Sequence, residues 1–135
     1  MSYRITDIEG IGKVMGDKLI AAGVNKTSDL LDRGASAKGR TELAAATGLS
    51  KEQILKWVNM ADLMRVKGVG EEYSELLEAA GVDTVKELRN RKAENLTEKM
   101  AEVNESRKLV RRAPNLSEVT RWVEFAKTLD PMVSH

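Results

Sequence analysis

Residues 8–19 read IEGIGKVMGDKL, and residues 66–77 read VKGVGEEYSELL. In each stretch an apolar residue, Ile11 or Val69, lies between two glycines. Glycine adopts backbone angles that other residues avoid, so Gly-x-Gly permits a tight chain reversal in which the central side chain points back between two helices. The chain is therefore predicted to contain the same pair of helices twice.

The similarity between the two stretches extends past the glycines at one constant offset. Gly10 and Gly68 are 58 residues apart (68 − 10 = 58), and the same offset aligns residues 19–24 (LIAAGV) with residues 77–82 (LEAAGV). A similarity that keeps one offset over this span indicates an internal duplication. We therefore expect two related units.

The rest of the chain favours helices, because apolar residues recur at helical spacing and no segment shows the sustained alternation of a strand. A Glu or Gln three positions after a polar residue predicts helix caps at Ser50, Thr84 and Asn115. The predicted fold is all-α, with two tandem units packed as one compact pseudo-twofold domain. These units span residues 1–62 and 63–135, and they share a helix at about residues 51–66.

The duplication sets two expectations for the turns. Ile11 and Val69 should be buried at equivalent positions. If Gly12 or Gly70 has a positive φ, valine at that position should lower the free energy of unfolding by about 1–3 kcal/mol.

Composition narrows the class of protein. The chain has 135 residues, 41% of them hydrophobic and 32% charged, which is enough for a compact globular core. The lack of cysteine excludes disulfides and cysteine metal sites, and a single histidine, His135, excludes histidine-based catalysis. No metal and no cofactor are expected. No stretch has the roughly 20 apolar residues that a membrane span needs, so the cytoplasm is the expected location and no membrane partner is expected.

Several stretches together resemble a known family. The doubled Gly-Ile/Val-Gly pattern resembles the helix-hairpin-helix motif, and residues 56–65 (KWVNMADLMR), 102–105 (EVNE) and 108–112 (KLVRR) add to the resemblance. Over nearly its whole length the chain is similar to a bacterial helix-hairpin-helix family, domain of unknown function 4332. This resemblance implies a compact all-α fold of two related units. By analogy with other helix-hairpin-helix proteins, it also implies contact with a DNA backbone irrespective of base sequence.

The backbone amides that follow each glycine pair are the candidate binding groups. They lie at the start of a helix, where unpaired N–H donors and the positive end of the helix dipole favour an anion such as phosphate. Lys13 supports such a role for the first turn, whereas Glu71 and Glu72 would repel phosphate from the second turn unless Lys67 compensates. The alternative is that both turns are purely structural. The candidate nucleic-acid-binding residues are Gly10, Ile11, Gly12, Lys13, Lys18, Lys67, Gly68 and Gly70.

Basic residues concentrate in the second half of the chain, at residues 89–92 (RNRK) and 107–112 (RKLVRR). Residues 86–112 contain nine basic and five acidic side chains. These runs are either a polyanion-binding patch or solvated surface with helix-end pairing, and the second interpretation is preferred. The acidic residues expected to neutralise them are Glu94, Glu98, Glu102 and Glu105.

The last predicted helix repeats the helix around Trp57, since Arg121-Trp122-Val123 corresponds to Lys56-Trp57-Val58. Both tryptophans lie on apolar helical faces, so core packing is expected rather than base stacking.

No third glycine turn follows the last helix, which leaves the strip formed by Trp122, Phe125 and Leu129 without an evident cover. We expect the N-terminal segment around Tyr3 and Ile5 to close this strip within one chain. A monomer is therefore preferred to a homodimer.

The sequence does not contain a recognisable enzyme active site. Glycines at positions 10, 12 and 16 have the wrong spacing for a dinucleotide-binding loop, and no strand precedes them. Asp29 and Asp83 lie beyond the glycine pairs without a partner acid or base. We therefore expect a non-enzymatic module that contacts the phosphate backbone of duplex DNA or RNA without sequence specificity. The alternative is a protein–protein interaction or scaffold module, which the net charge of +1 favours.

Overall fold

A computed structural model describes residues 3–8 and 10–134, so Met1, Ser2, Glu9 and His135 lie outside the described residues. Within that part the chain forms eight α-helices and a short 3₁₀ turn, Ile5–Asp7. Strands are absent from the same residues, whose one β-type contact is an isolated bridge between Arg4 and Lys26. The all-α prediction is confirmed.

The helices follow one another through short connections. Their bounds are α1 Lys13–Ala21, α2 Thr27–Gly34, α3 Ala37–Thr47, α4 Lys51–Leu63, α5 Glu71–Ala79, α6 Val85–Leu88, α7 Ala93–Arg107 and α8 Leu116–Ala126.

Side-chain caps explain where four of these helices begin. Ser50, Thr84 and Asn115 each accept a hydrogen bond from the backbone N–H three residues on, as their sequence patterns predict. The fourth cap, Ser36, accepts from Gly39 N and starts α3. This cap is not among those predicted from the sequence, and only two residues separate α2 from α3 there.

The two glycine turns, residues 10–12 and 68–70, have the same backbone geometry. The first glycine of each has a positive φ, 90° at Gly10 and 94° at Gly68. Gly12 and Gly70 have φ of −80° and −98°, which any residue adopts. Valine at Gly12 or Gly70 is expected to destabilise the fold only if φ is positive there. Because φ is negative at both positions, that destabilisation is not expected. The chain reverses at the first glycine, and the second one starts the next helix.

The helices that follow the turns also end alike. The N–H of Val24 donates to Leu19 O over 2.9 Å, and the N–H of Val82 donates to Leu77 O over the same distance. Arginines 58 residues apart then bind the freed carbonyls: Arg33 donates to Ala22 O, and Arg91 donates to Gly81 O over 2.9 Å. Arg91 thus serves in helix-end pairing, one of the two interpretations of the basic runs.

Buried apolar side chains form two clusters. The first core contains Ile11, which is 5% exposed, and the second core contains Val69, which is 0% exposed, so both are buried as predicted. Trp57 belongs to the first core and Trp122 to the second. Other members of the first core include Ile5, Ile8, Leu19, Leu30, Leu31, Leu43, Leu49, Ile54, Met60 and Met64, and those of the second include Leu63, Leu76, Leu77, Leu88, Leu96, Met100 and Val119.

Asp62, near the end of α4, connects the two cores. Its side chain is 1% exposed, and Oδ1 lies 2.7 Å from Arg65 Nη1. Oδ2 accepts a hydrogen bond of 2.8 Å from Val85 N, the first amide of α6. A buried carboxylate is stable only when hydrogen-bonded and paired, so these contacts fix α6 against α4.

The predicted closure of the last helix by the N-terminal segment is wrong. Ile5 N donates to Asn25 O and Thr27 N donates to Tyr3 O, so this segment is held beside α2 in the first core. Trp122 is instead buried in the second core by its own neighbours.

The C-terminal segment also returns to the first core, where Val133 packs. Ser134 N donates to Ala35 O, and the buried Arg40 donates from Nη2 to Ser134 O and from Nη1 to Gly34 O. Burial lowers the pKa of Arg40. Three carbonyl acceptors, those of Gly34, Ala35 and Ser134, solvate this guanidinium within the chain.

The turn geometry predicts opposite outcomes for neighbouring glycines. Gly68→Ala should lower the free energy of unfolding by about 1–3 kcal/mol, because the φ is positive and the new Cβ would lie 3.0 Å from Trp122 Nε1. Gly70→Ala should change it by less than about 1 kcal/mol, since a Cβ there has nothing within 4 Å. Urea unfolding measures both, and equal destabilisation by the two variants would contradict the assignment.

The contacts of Asp62 yield a second stability prediction. Asp62→Ala leaves the buried Val85 N–H without an acceptor and should lower the free energy of unfolding by about 1–3 kcal/mol. Asp62→Asn, which keeps one acceptor oxygen, should cost less than Asp62→Ala in the same urea titration. An alanine variant as stable as the asparagine variant would show that the hydrogen bond to α6 is dispensable.

Candidate functional site

The helices α1 and α5 begin without a side-chain cap. Their N-cap residues, Gly12 and Gly70, offer no side-chain oxygen to the first amides. The first intrahelical bonds run from Gly16 N to Gly12 O and from Ser74 N to Gly70 O, which places the preceding amides at the open end of each helix. Such amides and the helix dipole together accept an anionic oxygen.

Neither backbone angle nor packing requires glycine at these two caps. A Cβ built on Gly12 or Gly70 would meet no atom within 4 Å. Serine or aspartate, which usually stabilise helix starts, would fit both positions. Glycine therefore leaves the amides open to a ligand from outside, and the same arrangement occurs twice.

The charged neighbours of the first turn lie on α1. Lys13 is fully solvated and pairs with Asp17, with Nζ 3.0 Å from Oδ2. An exposed pair one helical turn apart contributes only about 0.3–0.5 kcal/mol, so a stronger anion can displace the aspartate. Lys18 is also exposed and follows on the same helix.

The second turn has a different environment. Glu71 and Glu72 begin α5, as the sequence indicates, and Glu72 is exposed. Lys67 and Gly68 line a groove of about 660 Å³ against α8, which contributes Arg121, Trp122, Phe125 and Thr128. Lys67 and Arg121 thus line the same groove, and Arg121 is not among the site residues predicted from the sequence.

Each turn also has a tryptophan beside its first glycine. A Cβ on Gly10 would lie 3.8 Å from Trp57 Nε1, and one on Gly68 would lie 3.0 Å from Trp122 Nε1. Both tryptophans are 3% exposed, so their assignment to the core is confirmed. The repeat of Lys56-Trp57-Val58 in Arg121-Trp122-Val123 is the sequence signal for this contact, although it does not identify the glycine as the partner.

The connection between α7 and α8, residues 108–115, is longer than its counterpart between α3 and α4. The tryptophans are 65 residues apart (122 − 57 = 65) and the glycines 58, so seven residues are added in this half, and the connection carries most of them. It lies against α5, because Tyr73 donates to Arg112 O over 3.3 Å. Asn104 fixes its course by bonding both the N–H and the C=O of Val110.

Only part of the basic surface in this region is neutralised by neighbours. Arg91 pairs with Glu87 and Arg112 with Glu118. The four α7 carboxylates expected to neutralise the basic runs, those of Glu94, Glu98, Glu102 and Glu105, make none of the ion pairs among the described residues. Glu105 nevertheless lines a pocket together with Lys108 and Arg111.

The Glu118 carboxylate holds the basic connection against α8. It accepts from Arg112 over 2.8 Å and from Asn115 N over 3.1 Å. The hydrogen bond from Arg112 is the main cause that lowers the pKa of Glu118 below its ordinary value of 4.5, followed by the backbone bond from Asn115.

The chemistry available at these turns is the binding of anions. Among residues 3–8 and 10–134, no group of three or more carboxylate or histidine side chains can hold a metal ion. In the same residues, no helix has the length and apolar character needed to cross a bilayer.

Comparison with known proteins places the chain in a family. The profile of one family, Domain of unknown function (DUF4332), matches residues 9–129. The chain belongs to this family. Both glycine turns, the two tryptophans and the basic connection of this DUF4332 protein lie inside the matched range. No match was found among curated proteins or among solved structures.

The lowered pKa of Glu118 predicts a pH-dependent stability. Because the folded pKa is depressed, the ionised carboxylate contributes stability above about pH 4.5, and this contribution disappears as the pH falls through the folded pKa. Glu118→Gln keeps an acceptor for Asn115 N but removes the charge, so at pH 7 it should be less stable by about 0.2–1 kcal/mol. Melting curves from pH 7 to pH 3 should show the difference shrinking in acid, and a constant difference would rule out the charge as its cause.

Proposed function

We propose that this chain is a non-enzymatic, cytoplasmic binding module of the bacterial helix-hairpin-helix type. Its glycine turns contact the phosphate backbone of a nucleic acid without sequence specificity. The residues that make this contact are the open amides that follow Gly12 and Gly70, with Lys13, Lys18 and Lys67 as the neighbouring cations.

The observation that carries this proposal is the open helix start at Gly12. Its φ of −80° and the empty space around a built Cβ mean that the fold accepts other residues there. A side chain at this position would stand in front of the amides. Glycine is therefore explained by a ligand that approaches the backbone closely, and phosphate matches both the donors and the dipole.

The first turn is the preferred contact. Lys13 and Lys18 are exposed beside it, whereas Glu71 and Glu72 begin the helix after the second turn. A lysine in the first turn of a helix opposes the dipole, which suits a partner of negative charge.

A protein partner is the second candidate, favoured by one observation on the same helix. Val14 is 69% exposed and Ile20 is 44% exposed, and both lie on α1. Exposed apolar side chains next to the first turn suit a scaffold or protein–protein role in which the turn is structural.

A substitution at Gly12 distinguishes nucleic-acid binding from the scaffold role. It should lower the affinity for nucleic acid without lowering the free energy of unfolding. Gly12→Asp supplies a cap, so the free energy of unfolding should be unchanged or higher by a few tenths of a kcal/mol. The carboxylate also occupies the amides and repels phosphate. Affinity for a random-sequence duplex, measured by fluorescence anisotropy at low salt, should fall about tenfold or more.

Lysine variants at equivalent helix positions provide the control. Lys13 and Lys51 are both exposed first residues of a helix, but the α4 amides near Lys51 are already capped by Ser50. Lys13→Glu should weaken binding equally for unrelated duplexes, and Lys51→Glu should not. The logarithm of the binding constant should fall with the logarithm of the salt concentration, with a slope of about 0.9 per neutralised phosphate. This slope should be shallow because only a few phosphates are neutralised. Absence of duplex binding by the unmodified protein at low salt would refute nucleic-acid binding and favour the scaffold role.

A further inference from the structure

The groove beside the second turn has the features of a ligand site. Its volume of about 660 Å³ is within the range of small-ligand pockets, and its wall combines apolar and charged side chains. Phe125 forms part of the apolar wall and is 37% exposed. It is the chain's single phenylalanine.

The first core does not repeat this groove. The residues of α4 that correspond to Phe125 and Thr128 at the offset of 65 are Met60 and Leu63. Both are 0% exposed, since α4 lies between the two cores. The groove is therefore open beside α8, which packs against the second core alone.

The charges of the groove are arranged for an anion. Its two carboxylates are already engaged, Glu118 by Arg112 and Glu124 by Lys127. The side chains of Lys67 and Arg121 make no hydrogen bond and no ion pair among the described residues, and Arg121 acts on Glu118 only at longer range. Two cations without a hydrogen bond or ion pair therefore line the same groove as an exposed aromatic ring, beside two carboxylates that are paired with other cations.

An indole donor lies at the same groove. Trp122 is 3% exposed, and within the described part of the chain its indole N–H has no hydrogen-bond partner. This nitrogen lies against Gly68, and both residues line the groove. Among the described residues the one buried side-chain nitrogen or oxygen without a partner is Asn59 Oδ1, so the indole nitrogen of Trp122 is reached by solvent and can donate to a bound oxygen in place of water.

We propose that this groove holds one unpaired base of a single-stranded nucleic acid. The base stacks on Phe125, its phosphate lies at Lys67 and Arg121, and the indole N–H of Trp122 donates to an oxygen of the same nucleotide. Stacking on an aromatic ring is tolerant of base identity, as is contact with phosphate. The proposal rests on the proposed nucleic-acid function and adds to it the form of the ligand: a strand with at least one unpaired base.

Two oligonucleotides that share a backbone test the stacking directly. Fluorescence anisotropy compares a twelve-residue oligo-dT with an abasic strand of the same length, and a blunt duplex serves as the backbone control. The unmodified protein should bind oligo-dT more tightly than the abasic strand. Phe125→Ala should weaken oligo-dT binding by roughly 5- to 100-fold, the range expected for one stacked base, and leave duplex binding unchanged.

Matched variants keep the test specific. Leu116→Ala removes another exposed apolar side chain from α8 outside the groove and should change neither affinity. Arg121→Glu should weaken oligo-dT binding, whereas Lys99→Glu, an exposed charge reversal on α7, should not. If melting curves show that Phe125→Ala is unfolded, Phe125→Leu takes its place, since it removes the ring and keeps apolar volume.

The outcomes distinguish this inference from the function it rests on. Equal binding of oligo-dT and the abasic strand, or no effect of Phe125→Ala, would overturn the stacking site while duplex binding through Gly12 still holds. A dimer in sedimentation that Phe125→Ala converts to a monomer would also overturn it, because the groove would then join two copies. Loss of all binding, to strands and duplex alike, would overturn both.

Discussion

The contact between the first glycine of each turn and a tryptophan is the constraint on which the rest of the structure depends. At Gly68, which has a φ of 94°, an added Cβ would lie 3.0 Å from Trp122 Nε1, closer than side chains normally approach. The reversal there sends Val69 into the core and sets the direction in which α5 leaves the turn. Trp122 in turn fixes α8 against the same turn. Trp57 lies beside Gly10 in the same way, although a Cβ there would be at an ordinary contact distance of 3.8 Å, so each helix pair is closed by a helix from later in the chain.

The open amides are a consequence of this arrangement. Once the first glycine has made the reversal, the second is free of conformational demand, and its φ of −80° at Gly12 is that of an ordinary N-cap. Ser36, Ser50, Thr84 and Asn115 cap four of the other helices with side chains, whereas α2 and α7, which follow Lys26 and Lys92, also begin without a side-chain cap bond. The two helices that follow the turns are the ones with glycine caps, which connects a local choice of residue to the function proposed.

The first and second glycine turns differ in the charged side chains around them. The first turn has Lys13 and Lys18 beside open amides, which suits a continuous backbone. The second has acidic residues at the helix start, but its groove places Lys67 and Arg121 around Phe125. One chain therefore offers two surfaces of distinct chemistry, and the difference arises because α4 is covered on both sides whereas α8 is covered on one.

The sequence by itself determined the helical class, three of the four side-chain caps, the burial of Ile11 and Val69, and the core position of both tryptophans. These features depend on spacing and local chemistry, which one chain segment carries alone. Only the tertiary structure decided which glycine has the positive φ, that Lys67 and Arg121 line one groove, that Asp62 accepts from Val85 N, and that the N-terminal segment packs in the first core instead of covering α8. Each of these depends on residues far apart in sequence, whose distance in space is set by helix packing and is not encoded in any local pattern.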